Sequence, residues 1–103
     1  MEIIRTETYD RWFRKLKDVQ GKARINIALR RCELAGKIVG DVKPVGNAVM
    51  ELRIHTGPGY RIYYTFEGDT LMLLLIGGDK STQQRDIDAA HKMAHDIRRK
   101  NDD

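Results

Sequence analysis

Polar side chains that could bind and cleave a phosphodiester alternate with apolar side chains through residues 50–66. One set is apolar and comprises Met50, Leu52, Ile54, Ile62, Tyr64 and Phe66. The interleaved set is mostly polar and comprises Glu51, Arg53, His55, Arg61, Tyr63 and Thr65. Alternation with a period of two predicts a half-buried antiparallel pair, here joined by a turn at residues 57–59. The polar set shares one face only in an even register, such as Arg53 opposite Tyr63 or opposite Arg61, because a slip of one residue buries the arginines.

Cleavage of RNA through its own 2′-hydroxyl requires a base for the hydroxyl proton, cations for the phosphorane and an acid for the leaving 5′-oxygen. Arg61 is the best candidate for holding the scissile phosphate, since a guanidinium contacts two phosphate oxygens at once. Arg53 could do the same from the adjacent strand. An arginine accepts no proton, so His55 or Glu51 is the better base, and His55 could also serve as the acid.

Two further residues complete the predicted surface. Lys80 follows a buried strand and could neutralise or protonate the leaving oxygen, and Tyr63 could stack on a base. Each candidate also has an ordinary interpretation. The arginines could pair with Glu51 on the surface, and His55 and Lys80 could simply be solvated.

The first half of the chain predicts a strand and a helical hairpin. Residues 2–5 form the strand, and Thr6 or Thr8 caps a helix with Tyr9, Trp12, Phe13 and Leu16 on one face. Gly21 is expected to separate it from a second helix that ends at Gly36. The second helix is expected to bury Ile25, Ala28, Leu29, Cys32 and Ala35 and to expose Arg24, Arg30 and Arg31.

The second half predicts strands and a final helix. Residues 37–48 form a connection with at most one short edge strand, and Gly68-Asp69 forms a turn after the polar-faced hairpin. The apolar run 70–76 is typical of a strand covered on both faces, which ends at residues 77–80. Ser81 with Gln84 predicts a capping box for a helix that buries Ile87, Ala90, Ala94 and Ile97 and frays from Arg98. We therefore expect an α+β fold of order β-α-α-β-β-β-α, with the helical hairpin on one sheet face and the last helix covering part of the other.

Composition narrows the class of protein. The 103 residues predict one domain, 1–103, and the net charge is +4. Nine Lys/Arg against two acids in residues 11–37 favour an anionic partner. The predicted RNA contacts are Arg24, Arg30 and Arg31 in this segment and Glu51 and Tyr63 on the predicted hairpin. One cysteine, no membrane-length apolar run and no signal-like N-terminus predict a cytoplasmic protein. No metal-ligand spacing is present, the nearest being His91 and His95, so no metal or cofactor is expected.

The sequence resembles the RelE/ParE superfamily of bacterial toxins, and most closely its HigB-like, phage Gp49-related branch. The resemblance is carried by Met-Glu-Leu-Arg-Ile at 50–54, Gly-Tyr-Arg-Ile-Tyr-Tyr at 59–64 and Leu-Leu-Ile-Gly-Gly-Asp-Lys-Ser-Thr-Gln at 74–83. It implies a metal-independent endoribonuclease that cuts mRNA on the ribosome. Arg61 matches the phosphate-stabilising arginine of that family, and Lys80 lies near the place of a second essential arginine.

Two positions depart from the family pattern. Arg53 stands where RelE carries a lysine base, and Ser81-Thr-Gln stands where RelE carries a tyrosine. In other members of the family a histidine compensates for such replacements, and the resemblance therefore implies His55 as the substitute here.

The resemblance also implies partners. These are the ribosome, mRNA and a small helix-turn-helix antitoxin, through which the toxin would reach operator DNA. Two other functions fit the same fold: a ParE-like inhibitor of DNA gyrase, and a degenerate toxin that acts only as antitoxin partner and co-repressor.

Overall fold

A five-stranded sheet forms the centre of the fold. The computed structural model describes residues 1–68 and 71–102, with side chains through Lys100. The strands are β1 (Glu2–Arg5), β2 (Asp41–Pro44), β3 (Met50–Ile54), β4 (Tyr60–Glu67) and β5 (Leu71–Asp79), in the order β1-β5-β4-β3-β2. β1 runs parallel to β5, and the other pairs are antiparallel. The α+β class is confirmed, with β2 as the short edge strand. The predicted turn residue Asp69 and the first predicted residue of the last strand, Thr70, lie outside the described residues.

Helices cover both faces of the sheet. α1 (Glu7–Lys15) and α2 (Val19–Ala35) pack on one face, where Ile25, Leu29 and Cys32 join the larger apolar core. α3 (Gln83–Asp102) packs on the other face around Ala90 and Ala94. Within the described ranges, no helix combines the length and apolarity that crossing a membrane would require.

The boundary between α1 and α2 differs from the prediction. Thr6 caps α1 as expected, accepting a hydrogen bond from the Tyr9 amide, but α2 begins at Val19 behind the cap residue Asp18. Gly21 therefore lies inside α2 and does not separate the helices. It is needed there because a Cβ would come within 2.6 Å of the Tyr60 ring.

The other end of α2 shows a smaller difference. Gly36 caps the helix in the left-handed conformation, at φ 69°, as predicted. Ala35, predicted to be buried, is exposed.

β5 extends beyond its apolar run into two glycines, and side chains from two helices occupy the space beside them. The strand continues through Gly77 and Gly78 to Asp79, whereas the sequence predicted an end at Gly77. A Cβ on Gly77 would lie 2.2 Å from the Trp12 ring of α1, and one on Gly78 would lie 1.8 Å from Asp86 of α3. The two glycines therefore let helices approach closely from opposite faces.

Replacing Gly77 with alanine should destabilise the protein by about 1–3 kcal/mol, because the added methyl displaces the partly buried Trp12 ring. The backbone of Gly77 is not left-handed, so this cost is purely steric. Urea denaturation would measure it, with Gly36→Ala as the matched control. A Cβ added at Gly36 would meet no atom within 4 Å, so that variant should lose only about 1 kcal/mol, the cost of holding alanine in the left-handed conformation. Equal losses in the two variants would contradict the proposed contact.

The start of the C-terminal helix also differs from the prediction. Asp79, not Ser81, is the cap residue, and it begins a 3₁₀ turn (Lys80–Thr82) that leads into α3. Asp79 Oδ1 accepts hydrogen bonds from the amide and hydroxyl of Ser81, at 2.8 and 2.5 Å. Gln84 instead donates to Asp88, one turn further along α3. The helix continues past the predicted fraying point at Arg98 to Asp102.

Candidate functional site

The two strand arginines lie on the same face of the sheet. Arg53 pairs directly with Arg61 across β3 and β4, which is the even register predicted from the alternation. Glu51, on the same face, lies between them: its carboxylate oxygens are 3.7 Å from Arg53 Nε and 3.5 Å from Arg61 Nε. One buried carboxylate thus offsets the repulsion between two adjacent guanidinium groups.

The environment of Glu51 shows that it positions the arginines. Its side chain has no exposed surface, and Gln83 at the start of α3 donates a hydrogen bond to Oε2 at 3.0 Å. The Arg61 side chain is 10% exposed and that of Arg53 is 30% exposed. Glu51, predicted from sequence to contact RNA or act as the base, is out of reach of a ligand. The two arginines keep part of their surface open.

Beside these arginines the surface opens into a cationic cleft of about 510 Å³. The cleft brings together the four predicted catalytic residues and the turn between β3 and β4; its lining is Arg53, His55, Thr56, Gly57, Pro58, Gly59, Arg61 and Lys80. Gly57 and Gly59 adopt positive φ angles of 53° and 78°. A Cβ on Gly59 would lie 3.7 Å from Lys80 Cβ and 3.9 Å from Arg61 Nη1, so glycine at this position keeps the cleft open between those two residues.

His55 is paired with a carboxylate that the sequence analysis did not identify. Its Nε2 lies 2.6 Å from Asp41 Oδ2, and Arg53 Nη2 lies 3.5 Å from the other oxygen of Asp41. The hydrogen bond from His55, followed by the charge of Arg53, holds the pKa of Asp41 below its ordinary value. An ionised Asp41 can only accept, so His55 Nε2 is the donor of this hydrogen bond. The only sequence signal for Asp41 was the possible edge strand, whose register was unknown.

Tyr63 does not belong to the open surface. It faces the same side of the sheet as Arg61 but is completely covered by α3 within the smaller core. Its ring is therefore out of reach of a nucleic-acid base, contrary to the sequence prediction. Burial, together with the nearby charge of Glu51, raises the pKa of its phenol.

All four tyrosines should resist ionisation in the folded protein. Burial raises the pKa of Tyr9, Tyr63 and Tyr64, and burial with the hydrogen bond to Asp18 raises the pKa of Tyr60 to about 12. The stability that neutral Tyr60 contributes is complete below pH 10.0, its ordinary value, and is lost as the pH rises toward about 12. Ultraviolet titration should show phenolate absorbance only together with alkaline unfolding. A tyrosine that ionises near pH 10 while the fold persists would contradict this.

The basic residues of α2 divide between two sides of the helix. Arg24 and Arg31 line a groove of about 400 Å³ between α2 and β3, and this groove also contains Arg53 and His55. Arg30 lies in a different depression with Arg5 and is 3.8 Å from Glu33. Arg24 and Arg31 therefore adjoin the cationic cleft, and Arg30 does not.

The two helix histidines do not form a site together. His91 Nε2 is 2.8 Å from the carbonyl oxygen of Val45, and His95 is exposed. In the part of the chain that the structure describes, no three His, Cys, Asp or Glu side chains are grouped to hold a metal ion.

Comparison of the amino-acid sequence with known proteins identifies the family of this chain. The sequence model of the family described as "Phage derived protein Gp49-like" matches residues 11–98. The chain is also similar to an uncharacterized protein of Haemophilus influenzae, with 41% identity over 97 residues that cover 94% of this chain and 96% of that protein. The matched region includes α2, the cationic cleft and most of α3, so the chain belongs to the phage-derived Gp49-like family, a RelE/HigB-like toxin family associated with toxin–antitoxin modules.

Proposed function

We propose that this protein is the toxin of a toxin–antitoxin module and acts as a metal-independent endoribonuclease on ribosome-bound mRNA. The observation that carries the proposal is the grouping of Arg53, His55, Arg61 and Lys80 around one open cleft. Three cationic side chains and one imidazole match the requirements of cleavage through the 2′-hydroxyl. The cleft is open to solvent, as access to an extended RNA strand requires.

In the proposed reaction the 2′-oxygen forms a bond to phosphorus and the bond from phosphorus to the 5′-oxygen breaks. Nδ1 of His55 takes the proton from the 2′-hydroxyl. Arg61 contacts the nonbridging phosphate oxygens, and Arg53 adds a second positive charge as the phosphorane forms. Lys80 supplies a proton to the leaving 5′-oxygen. The products are a 2′,3′-cyclic phosphate and a 5′-hydroxyl.

Preorganisation distinguishes the two arginines from solvated surface residues. Arg61 is mostly buried and is held by Glu51, which is itself held by Gln83. Its guanidinium therefore does not need to be ordered when RNA binds, so less conformational entropy is lost than for a free surface arginine. Lys80 is exposed and lines the cleft, where its ammonium group can reach the leaving oxygen.

Asp41→Asn should lower the cleavage rate about tenfold, part of the ~10²–10⁴ that general acid–base catalysis contributes. The amide keeps the shape of Asp41 but removes the charge that fixes the His55 tautomer and stabilises the imidazolium. The pH–rate profile should shift with the rate. The informative control is the same change in a His55→Ala background, where it should have no further effect on the rate. Independent, multiplicative losses would show that Asp41 does not act through His55.

The experiment that tests the activity is transcript mapping in a translating extract. Wild-type protein should cleave translated mRNA and leave 2′,3′-cyclic phosphate ends, also in the presence of a chelator. A matched transcript without a ribosome-binding site should remain intact. Intact translated mRNA with accumulating DNA breaks would instead support gyrase inhibition. Intact mRNA and intact DNA would support a degenerate toxin.

A further inference from the structure

α2 carries a second apolar face that nothing in the structure covers. Val19, Ile27 and Leu34 are 78%, 48% and 72% exposed. They lie two turns apart along the helix, on the side opposite the buried Ile25 and Leu29, and we call them the outer stripe. Single exposed apolar residues are common on protein surfaces, but three large aliphatic side chains aligned on one helix are typical of a helix that packs against a partner on both sides.

The length of the outer stripe sets the size of the partner element. Val19 and Leu34 are 15 residues apart, which is about 22 Å of helix at 1.5 Å per residue. A stripe of this length matches the apolar face of one helix of four or five turns.

The charges beside the outer stripe define the chemistry of that helix. Arg24 and Arg31 border the stripe on the side of the α2 groove, and Arg30 lies on the stripe itself, between Ile27 and Leu34. The only acidic residue of α2 is Glu33. A partner helix with acidic residues within and along one side of its apolar face would therefore be complementary. A second copy of α2 would place arginines against arginines, and aliphatic side chains provide no ligand for RNA phosphates and no stacking surface for bases.

We infer that the outer face of α2 docks an acidic amphipathic helix of a partner protein. Its apolar side chains would cover Val19, Ile27 and Leu34, and its carboxylates would contact Arg24 and Arg31. These two arginines share the α2 groove with Arg53 and His55. A helix seated on the stripe therefore lies beside the cationic cleft and competes with RNA for its basic edge. The antitoxin that the family implies is the partner with which to test this surface.

The test is the affinity of purified toxin variants for the cognate antitoxin. The antitoxin is purified separately, and the affinity is measured by titration calorimetry. Ile27→Gln/Leu34→Gln should weaken binding at least about tenfold, since buried aliphatic anchors at an interface commonly cost more than 1.4 kcal/mol when removed. His95→Gln, an exposed position on α3 on the other face of the sheet, should bind as wild type does. Arg24→Gln/Arg31→Gln should weaken binding and reduce its dependence on salt, whereas Arg99→Gln on α3 should do neither. Thermal unfolding would confirm that each variant is folded.

Three results would overturn the inference. The first is wild-type antitoxin affinity in the Ile27→Gln/Leu34→Gln variant. The second is loss of ribosome binding by that variant with antitoxin binding intact, which would assign the stripe to RNA. The third is a wild-type dimer in sedimentation that the variant converts to monomer, which would assign the stripe to self-association. The inference does not depend on nuclease activity, because the antitoxin titration requires no cleavage and would be equally informative for an inactive toxin.

Discussion

Arg61→Ala is expected to lower mRNA cleavage by at least about 10²-fold, because it removes the guanidinium that we propose contacts the phosphate as negative charge develops. Single-turnover cleavage in a translating extract would measure the rate, and growth after induction would measure toxicity. Arg61→Lys should restore only part of the rate, since an ammonium keeps the charge but loses the two-point contact. Glu51 would retain Arg53 as a partner in both variants, at 3.7 Å in the wild-type structure.

The matched control for this loss is Arg99→Ala, which removes an exposed arginine from α3 at a position outside the cleft. It should cleave as fast as wild type. Antitoxin binding should be unchanged in both variants, because the outer stripe does not include Arg61. If Arg61→Ala remained fully toxic, the nuclease proposal would be wrong even though the family assignment would stand.

Glu51→Gln should cost about 3 kcal/mol of stability at neutral pH, since removing one partner of a buried ion pair leaves an uncompensated buried charge. Glutamine keeps the size of the side chain and its contact with Gln83, so the loss reports the charge. Arg61, only 10% exposed, would then lack a carboxylate neighbour, whereas Arg53 would keep Asp41 at 3.5 Å. Urea denaturation would measure the change in the free energy of unfolding.

An exposed ion pair provides the comparison for Glu51. Glu7 pairs with Arg11 at 3.2 Å on α1, with 82% of the glutamate side chain exposed. Glu7→Gln should change stability by less than about 0.5 kcal/mol. The cost of Glu51→Gln should also become smaller in an Arg61→Ala background, because the charge left unpaired is then absent. Equal costs for Glu7→Gln and Glu51→Gln would show that the Glu51 network contributes no more than a surface pair.

The predictions for Arg61→Ala and Glu51→Gln concern the same feature of the cationic cleft, which is the close approach of two guanidinium groups. Under the proposed function, stability and cleavage depend on the same interaction. Glu51 makes it possible to hold Arg61 close to Arg53, and that proximity concentrates positive charge where the phosphate would bind. The structure thus accommodates two adjacent cations by placing a fully buried carboxylate between them. Glu51→Gln should for this reason reduce cleavage as well as stability.

The structural predictions made from sequence alone were correct where the local residue pattern determines the structure. Period-two alternation predicted the face shared by Arg53 and Arg61, and the preference of glycine for positive φ predicted the turn at Gly57 and Gly59. Both depend on steric rules that act over a few residues. The apolar run that became β5 was also recognisable, since a strand buried on both faces contains few polar residues.

The tertiary structure alone decided which side chains of the polar face reach solvent and which partners they have. Alternation assigns Glu51, Tyr63 and Arg61 to one face but does not say that α3 covers the first two and leaves the third at the edge of a cleft. The pairing of His55 with Asp41 depends on the register of an edge strand, and the role of Gly78 depends on a register shift at Tyr63 and Tyr64 that brings it under Asp86. These features arise from contacts between residues distant in the chain. The local sequence is therefore sufficient to specify a strand or a turn. The burial of a side chain and the identity of its interaction partners depend on how the helices and strands pack.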